Sequence, residues 1–241
     1  MPLPWLDPDH VAFPPTATAL DEPNGLLAVG GALTPAWLEA AYERGIFPWF
    51  EEGQPVLWWS PDPRLVLFPS RLHVSRSLQK FIKKTSYVVT MDRNFADVVR
   101  ACAAPRSSSD GTWITASMAS AYGELHRAGS AHSVEVWDAG ALIGGLYGVA
   151  RGRAFFGESM FSRRDNASKL ALVALARQLQ QWGFELIDCQ VRTRHLLSMG
   201  AQEISRAEFE RRLASLVGEP MRAGPWQFDA PLDASLKGLL N

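Results

Sequence analysis

Cysteine is nearly absent: the 241 residues carry only Cys102 and Cys189. Two thiols so far apart build neither a disulfide framework nor a zinc site, and a reducing cytoplasm is the expected home. Long hydrophobic runs are missing too. No apolar stretch reaches bilayer-spanning length, and Met1-Pro2-Leu3-Pro4-Trp5 lacks the basic and apolar regions of a secretion signal. Internal repeats and low-complexity tracts are likewise missing. At 47% hydrophobic and 20% charged residues, disorder is excluded, and the length suits one large domain or a domain with a smaller companion. Positive charge is scarce in the first 63 residues, where Arg44 stands against nine carboxylates (1 − 9 = −8). The remainder holds 23 basic and 16 acidic residues (+7), and from Arg64 to Lys84 six Lys/Arg occur without one Asp or Glu. Such segregation points to a polyanionic partner.

Several familiar site motifs are also lacking. Gly157-Glu158-Ser159-Met160-Phe161 misses the last glycine of a nucleophile elbow, and Gly144-Gly145-Leu146-Tyr147-Gly148 is no dinucleotide fingerprint. No phosphate-cradling GxxxxGK[ST] occurs. His10, His73, His126, His132 and His195 show no helical metal-ligand spacing and read as structural. Cys189, placed by strand alternation opposite Asp188 and Gln190, reads as a buried inert thiol.

Residues 1–62 read as a small acidic N-terminal domain, with a helix over Pro35–Arg44 that starts at Thr34-Pro35 and stops at Gly45. Pro61 and Pro63 mark the boundary, and residues 63–241 form the main domain. There a strand near Leu65–Phe68 precedes a helix over Ser75–Lys84 with Leu78, Phe81 and Ile82 on its apolar face. Arg76, Lys80, Lys83 and Lys84 make a basic stripe on that helix, suited to phosphate contact. Helices over Phe95–Cys102 and Ala116–Arg127 flank a Ser-rich loop, Ala104–Gly111, expected to be mobile. A strand meander follows (His132–Trp137, Leu142–Val149, Arg153–Met160), then a long helix from about Ala167 to Trp182 capped by Asn166 or Ser168. A strand over Phe184–Val191, a short helix His195–Met199 and a helix behind the capping box Ser205-x-x-Glu208 complete the chain. The fold class is α+β: a mostly antiparallel sheet flanked by helices, with one strand–helix–strand crossover.

Two strands carry unexpected polarity. Asp188 and Gln190 share a face with Leu186, and Glu158 shares one with Phe156 and Met160, if alternation is regular. Singly, each polar residue is more often structural. Together, among large apolar neighbours, they point to one pocket with perturbed titration.

The residues closely resemble the leucyl/phenylalanyl-tRNA–protein transferase family, from about Phe13 to Trp226. The resemblance rests on Glu22-Pro23-Asn24-Gly25-Leu26-Leu27-Ala28, Tyr42-x-Arg44-Gly45-Ile46-Phe47-Pro48-Trp49-Phe50 and Trp58-Trp59-Ser60-Pro61-Asp62-Pro63-Arg64. It continues through Gly111-Thr112-Trp113-Ile114-Thr115, Ala131-His132-Ser133-Val134-Glu135-Val136-Trp137, Gly157-Glu158-Ser159-Met160-Phe161-Ser162 and Ile187-Asp188-Cys189-Gln190. It implies a small N-terminal domain and an acetyltransferase-like (GNAT-type) catalytic domain. The implied reaction moves Leu or Phe, and Met less well, from charged tRNA to proteins beginning with Arg or Lys, marking them for N-degron degradation. No metal or other cofactor and no membrane is implied. The resemblance places Asp188, Gln190 and Glu158 in the active centre. On this reading Asp188 acts on the incoming ammonium through Gln190, and Glu158 holds the cationic N-terminal residue or its amino group. The aminoacyl pocket is expected from Trp49, Trp113, Leu146, Phe155, Met160 and Ile187. Phe184 is a further candidate, though core packing accounts for it and for Ile187 at least as well. Arg76, Lys80, Lys83 and Lys84 would meet the tRNA backbone.

Three rival readings remain. A peptidoglycan-type aminoacyltransferase would deliver to a cell-wall precursor. An acyl-CoA-dependent N-acyltransferase is opposed by the junction Phe161-Ser162-Arg163-Arg164-Asp165-Asn166-Ala167-Ser168-Lys169, which has no glycine to cradle a pyrophosphate. A non-catalytic RNA-binding module would rest on the basic stripe alone.

Overall fold

Thr34 accepts a hydrogen bond from the Trp37 N–H through its side chain, and Pro35 occupies the first helical position, so a helix begins where the sequence places one. The structure, a computed structural model, describes residues 3–104, 114–222, 224–229 and 236–240. Most of the Ser-rich loop and Trp113 lie outside the described residues.

The N-terminal part contains β1 (Trp5–Leu6), β2 (Leu26–Gly30), α1 (Pro35–Glu43), β3 (Phe47–Pro48) and β4 (Leu57–Trp59), with the strands in the order β1-β2-β4-β3. The sequence shows none of these four strands, because each is too short to show alternation. The rest comprises β5 (Arg64–Leu67), α2 (Arg76–Ile82), β6 (Val88–Met91), α3 (Phe95–Ala103), α4 (Ala116–Arg127) and β7 (Ala131–Asp138). Then come β8 (Ala141–Arg151), β9 (Ala154–Ser162), α5 (Ala167–Gln181), β10 (Leu186–Gln190), α6 (Arg194–Ser198), β11 (Gln202–Ile204) and α7 (Arg206–Leu216). Their strands form one seven-stranded sheet ordered β11-β5-β10-β9-β8-β7-β6. Only β9 and β10 pair in parallel within it, joined by the α5 crossover. The expected α+β architecture, with a mostly antiparallel sheet flanked by helices, is present.

Two apolar clusters cover the sheet. On one face α2, α5 and α6 pack over Leu65, Leu67, Leu146, Phe155 and Ile187. On the other, α1, α3, α4 and α7 pack over Val66, Tyr147, Val149, Phe156 and Leu186. The N-terminal sheet joins this second cluster. Helix α1 meets the main sheet through Tyr42, whose ring lies 5.0 Å from that of Phe156, and through ion pairs from Glu39 and Glu43 to Arg151.

Local chemistry corrects three details. Helix α2 ends at Ile82 with Lys83 as its cap, so Lys84 lies beyond it. Asn166 precedes α5 in the left-handed region (φ 64°) without a side-chain cap, and Ser162 Oγ instead accepts the Ser168 N–H at 3.3 Å. Only half of the expected capping box forms on α7: Ser205 Oγ accepts the Glu208 N–H, while the Glu208 carboxylate pairs with Arg211 and Arg212.

Glycine is required where β8 passes β9. A Cβ at Gly148 would lie 2.1 Å from the Phe156 carbonyl oxygen and 2.6 Å from the Phe155 ring. Neither neighbour has room to move, since both phenylalanines are buried. Gly148→Ala is expected to cost about 3 kcal/mol or more, a fall of roughly 6–12 °C in melting temperature by calorimetry. Unchanged melting would mean that the two strands part more readily than this packing implies.

Candidate active site

The parallel strands β9 and β10 pair only from Ala154/Leu186 to Phe156/Asp188 and then diverge. Each carries a bulge at the parting. In β9, Gly157 faces Gly148 and Ser159 faces Tyr147, leaving Glu158 as the extra residue. In β10, Asp188 faces Val66 and Gln190 faces Leu65, leaving Cys189 as the extra residue. A bulge re-aims the side chains after it, so regular alternation fails at both places. Phe156 and Met160 therefore pack against opposite clusters rather than sharing a face. Asp188 shares a face with Leu186, but the register carries Gln190 to the face of Leu65. Gln190 has φ 55°, and the Val191 N–H reaches the Cys189 carbonyl at 2.7 Å, closing a γ-turn. This is the rare, strained form of that turn and persists only when its surroundings enforce it.

Asp188 supplies the enforcement. Its Oδ1 accepts the Gln190 main-chain N–H at 3.0 Å. The same carboxylate takes a bidentate pair from Arg64, Nε to Oδ1 at 2.8 Å and Nη2 to Oδ2 at 2.6 Å. Both side chains are fully buried, and the guanidinium lies over the rings of Phe47 and Phe209 at 4.8 and 4.6 Å. Asp188 thus touches Gln190 through the main chain and sits behind the cleft wall.

Two adjoining cavities meet at the parting. The larger, about 350 Å³, is lined on its apolar side by Leu146, Phe155, Met160, Leu172, Leu175 and Ile187. The smaller, about 160 Å³, is bounded by Phe47, Pro48 and Trp49 from the N-terminal part. Glu158, Gln190 and Val191 line both. Glu158 Oε2 accepts the Tyr122 hydroxyl at 2.6 Å, and that hydroxyl also bonds the Tyr42 hydroxyl at 2.7 Å. Glu158 Oε1 and Gln190 Nε2 are buried with no partner among the described residues. Such atoms in a cavity wall are free to bond a ligand or a water molecule. Burial raises the Glu158 carboxyl to about 7; repulsion from Asp188 adds to the rise, while the Tyr122 and Tyr42 hydroxyls and Arg64 oppose it. Burial, chiefly, and Glu158 push Tyr42, Tyr122 and Tyr147 well above the usual phenol range, so all three stay protonated.

The remaining candidates divide. Leu146, Phe155, Met160 and Ile187 line the larger cavity and Trp49 the smaller, while Trp113 lies outside the described residues. Phe184 is core, its ring 5.7 Å from that of buried Trp226. Arg76, Lys80, Lys83 and Lys84 are exposed, with no ion-pair partner among the described residues. Cys189 is opposite Asp188 as expected but not opposite Gln190, since both line the larger cavity; burial pushes its thiol up strongly, which keeps it unreactive.

Sequence reasoning missed four residues. Arg64 belongs by sequence to the basic cluster ending at Lys84, but an arginine heading the apolar run Leu65-Val66-Leu67-Phe68 signals a buried charge that needs a partner. Tyr42 and Tyr122 offered no local signal. His195 reads as structural from its spacing, yet it lines the larger cavity. Among the described residues, no group of three His, Cys, Asp or Glu side chains could hold a metal, and no helix is long and apolar enough to cross a membrane.

Removing one partner of a buried pair strands the other charge, at about 3–5 kcal/mol. Asp188→Asn and Arg64→Met should each lose roughly this much in urea unfolding, and the double variant less than the sum. Full additivity would mean that the two side chains do not act as a pair.

Comparison with known proteins agrees along nearly the whole chain. A family model described as leucyl/phenylalanyl-tRNA protein transferase matches residues 66–214, and one for the N-terminal domain of that family matches residues 31–62. A leucyl/phenylalanyl-tRNA–protein transferase from Nitrosospira multiformis is 62% identical over 94% of this chain and 97% of its own. Proteins of the same name from Pseudomonas fluorescens and Pseudomonas entomophila are 58% and 62% identical, over 93% and 92% of this chain and 99% and 98% of theirs. Among solved structures, a GCN5-related N-acetyltransferase from Kribbella flavida is similar at TM-score 0.36 and 12% identity, over 71% of this chain and 61% of its own. L-PGS from Bacillus licheniformis is similar at TM-score 0.40 and 9% identity, over 64% of this chain and 50% of its own.

Proposed function

The chain belongs to the leucyl/phenylalanyl-tRNA–protein transferase family, and on that premise we propose the finer specificity of its aminoacyl transfer from tRNA to protein. The amino acid is leucine or phenylalanine, with methionine used less well. The acceptor is the α-amino group of a protein that begins with Arg or Lys, which the added residue marks for N-degron degradation in the cytoplasm. The observation that carries this reading is the meeting of two cavities at Glu158 and Gln190, each with a buried polar atom that has no partner among the described residues. A transfer between two substrates needs two sites that share their reacting end.

The ester on the tRNA is already activated, so the chemistry asks for positioning, a neutral amine and support for the developing oxyanion. The amine nitrogen attacks the ester carbonyl carbon. The bond from that carbon to the ribose oxygen breaks, and the proton lost by nitrogen ends on the departing oxygen. Bringing two bound reactants together supplies about 7–11 kcal/mol at best. In our reading the apolar cavity takes the leucyl or phenylalanyl side chain, and Trp49 borders the acceptor's side. Pocket fit rejects a related aliphatic residue by only about 1–3 kcal/mol per methylene, which is why methionine is tolerated. Gln190 orients the amine from its enforced turn. Asp188, fixed by Arg64, holds that turn and supplies the negative field that draws the ammonium proton. Glu158, once ionised, pairs with the cationic N-terminal residue or its amino group. Residues 1–62 form the unit that completes the acceptor cavity, and residues 63–241 the catalytic body.

Labelled leucyl-tRNA incubated with peptides beginning Arg, Lys and Ala tests the acceptor: the first two should be labelled and the third not. Equal labelling of all three would exclude selection by charge. On the Arg peptide, kcat/KM should climb through about pH 7 as Glu158 ionises, ahead of a second step near 8 from the peptide amine. Glu158→Gln should erase the lower step and slow transfer; a lower step that survives it belongs to another group.

The exposed stripe of Arg76, Lys80, Lys83 and Lys84 sits on and just after α2 and suits the acceptor-stem phosphates. Four alanines there should raise KM for tRNA at little change in kcat. They should also flatten the dependence of log affinity on log salt by roughly 0.7–0.9 per lost contact. An unchanged salt slope would move the RNA elsewhere on the protein.

A further inference from the structure

His195 lies outside every role assigned so far. It is half-buried near the start of α6, where Thr193 Oγ1 accepts the Leu196 N–H at 3.1 Å and fixes the first turn. Its Nε2 is buried and has no hydrogen-bond partner among the described residues. His195 lines the larger cavity together with Glu158, Gln190 and Thr193. Thr193 and Val191 are exposed whereas Leu196 is buried, so this stretch runs along the rim of the cavity rather than its floor. An apolar side chain entering the cavity fills the floor among Phe155, Leu172, Leu175 and Ile187. The polar end to which that amino acid is esterified must then occupy the rim.

Charge at the rim suits the same occupant. Burial first, and the nearby Lys169 ammonium second, lower the His195 pKa, so the imidazole is neutral at physiological pH. A neutral imidazole beside a cation is a poor partner for an ammonium and a good one for a hydroxyl next to a phosphate. An aminoacyl ester on a terminal ribose leaves one vicinal hydroxyl free, beside the ester that must react.

Resting on the transfer reaction above, we propose that His195 is a positioning residue whose Nε2 hydrogen-bonds the free hydroxyl of the terminal ribose, holding the ester toward Glu158 and Gln190. The contact is worth about tenfold in kcat/KM, as expected when a buried polar group loses its partner.

The test pairs a protein change with a substrate change. His195→Leu keeps bulk in an apolar wall and removes the nitrogen. The substrate is leucyl-tRNA carrying its ester on the 3′-oxygen of a terminal 2′-deoxyadenosine, compared with the all-ribose tRNA. Wild type should lose about tenfold on the deoxy substrate, and the variant about tenfold on the ribose substrate. Variant and deoxy substrate together should lose no more than either change alone. Losses that multiply would overturn the proposal, as would a wild-type enzyme indifferent to the missing hydroxyl. The wild-type comparison decides without any variant, should His195→Leu melt early. Failure of wild type to transfer leucine from the all-ribose tRNA to any peptide would instead refute the transfer reaction itself.

Discussion

The buried pair between Arg64 and Asp188 is the constraint on which the site depends. Two full charges are removed from water, a costly act that only good geometry offsets. The geometry here is good: two parallel hydrogen bonds, with aromatic rings of Phe47 and Phe209 against the guanidinium. Arg64 heads β5, Asp188 sits in β10, Phe47 belongs to the N-terminal sheet and Phe209 to α7. One ion pair therefore draws four separate elements to a point directly behind the cleft. Its last bond, from Asp188 to the Gln190 N–H, holds a backbone conformation that a residue with a side chain adopts only under such restraint.

A second network completes the cleft from the other side. The Tyr42, Tyr122 and Glu158 side chains form a hydrogen-bonded chain running from α1 through α4 to the bulge in β9. Because burial keeps both phenols protonated, the chain ends in a donor directed at Glu158 Oε2 and leaves Oε1 for a ligand. The two networks act on opposite sides of the gap between β9 and β10. One orients Gln190, the other Glu158, and neither side chain that faces the cavities is tied down completely. This is how a rigid frame presents a small number of free polar atoms.

Much of the fold was legible. Proline, threonine and glycine placed α1; the long apolar helix α5 and the meander β7–β9 followed from length and turn chemistry. The strands of the N-terminal sheet, β6 and β11 were not, since such short runs show little period of their own. In the site, Glu158, Asp188 and Gln190 stood out as polar residues in apolar strands. The faces around Glu158 and Gln190 depart from simple alternation, because a bulge leaves no mark in composition. Arg64 offered a fair signal, a lone cation opening an apolar strand, which matches the lone anion in β10.

Residue types alone settled the class of fold, the acidic first quarter and basic remainder, and the polar residues that break the apolar strands, because these depend on pattern over neighbouring positions. The partner of each charge and the face of each bulged side chain were decided only by the folded chain. Arg64 and Asp188 are 124 residues apart in sequence, and no local rule connects positions so distant. Only the closing of β5 against β10 brings them within bonding distance, and that contact aims Gln190 at the cavity.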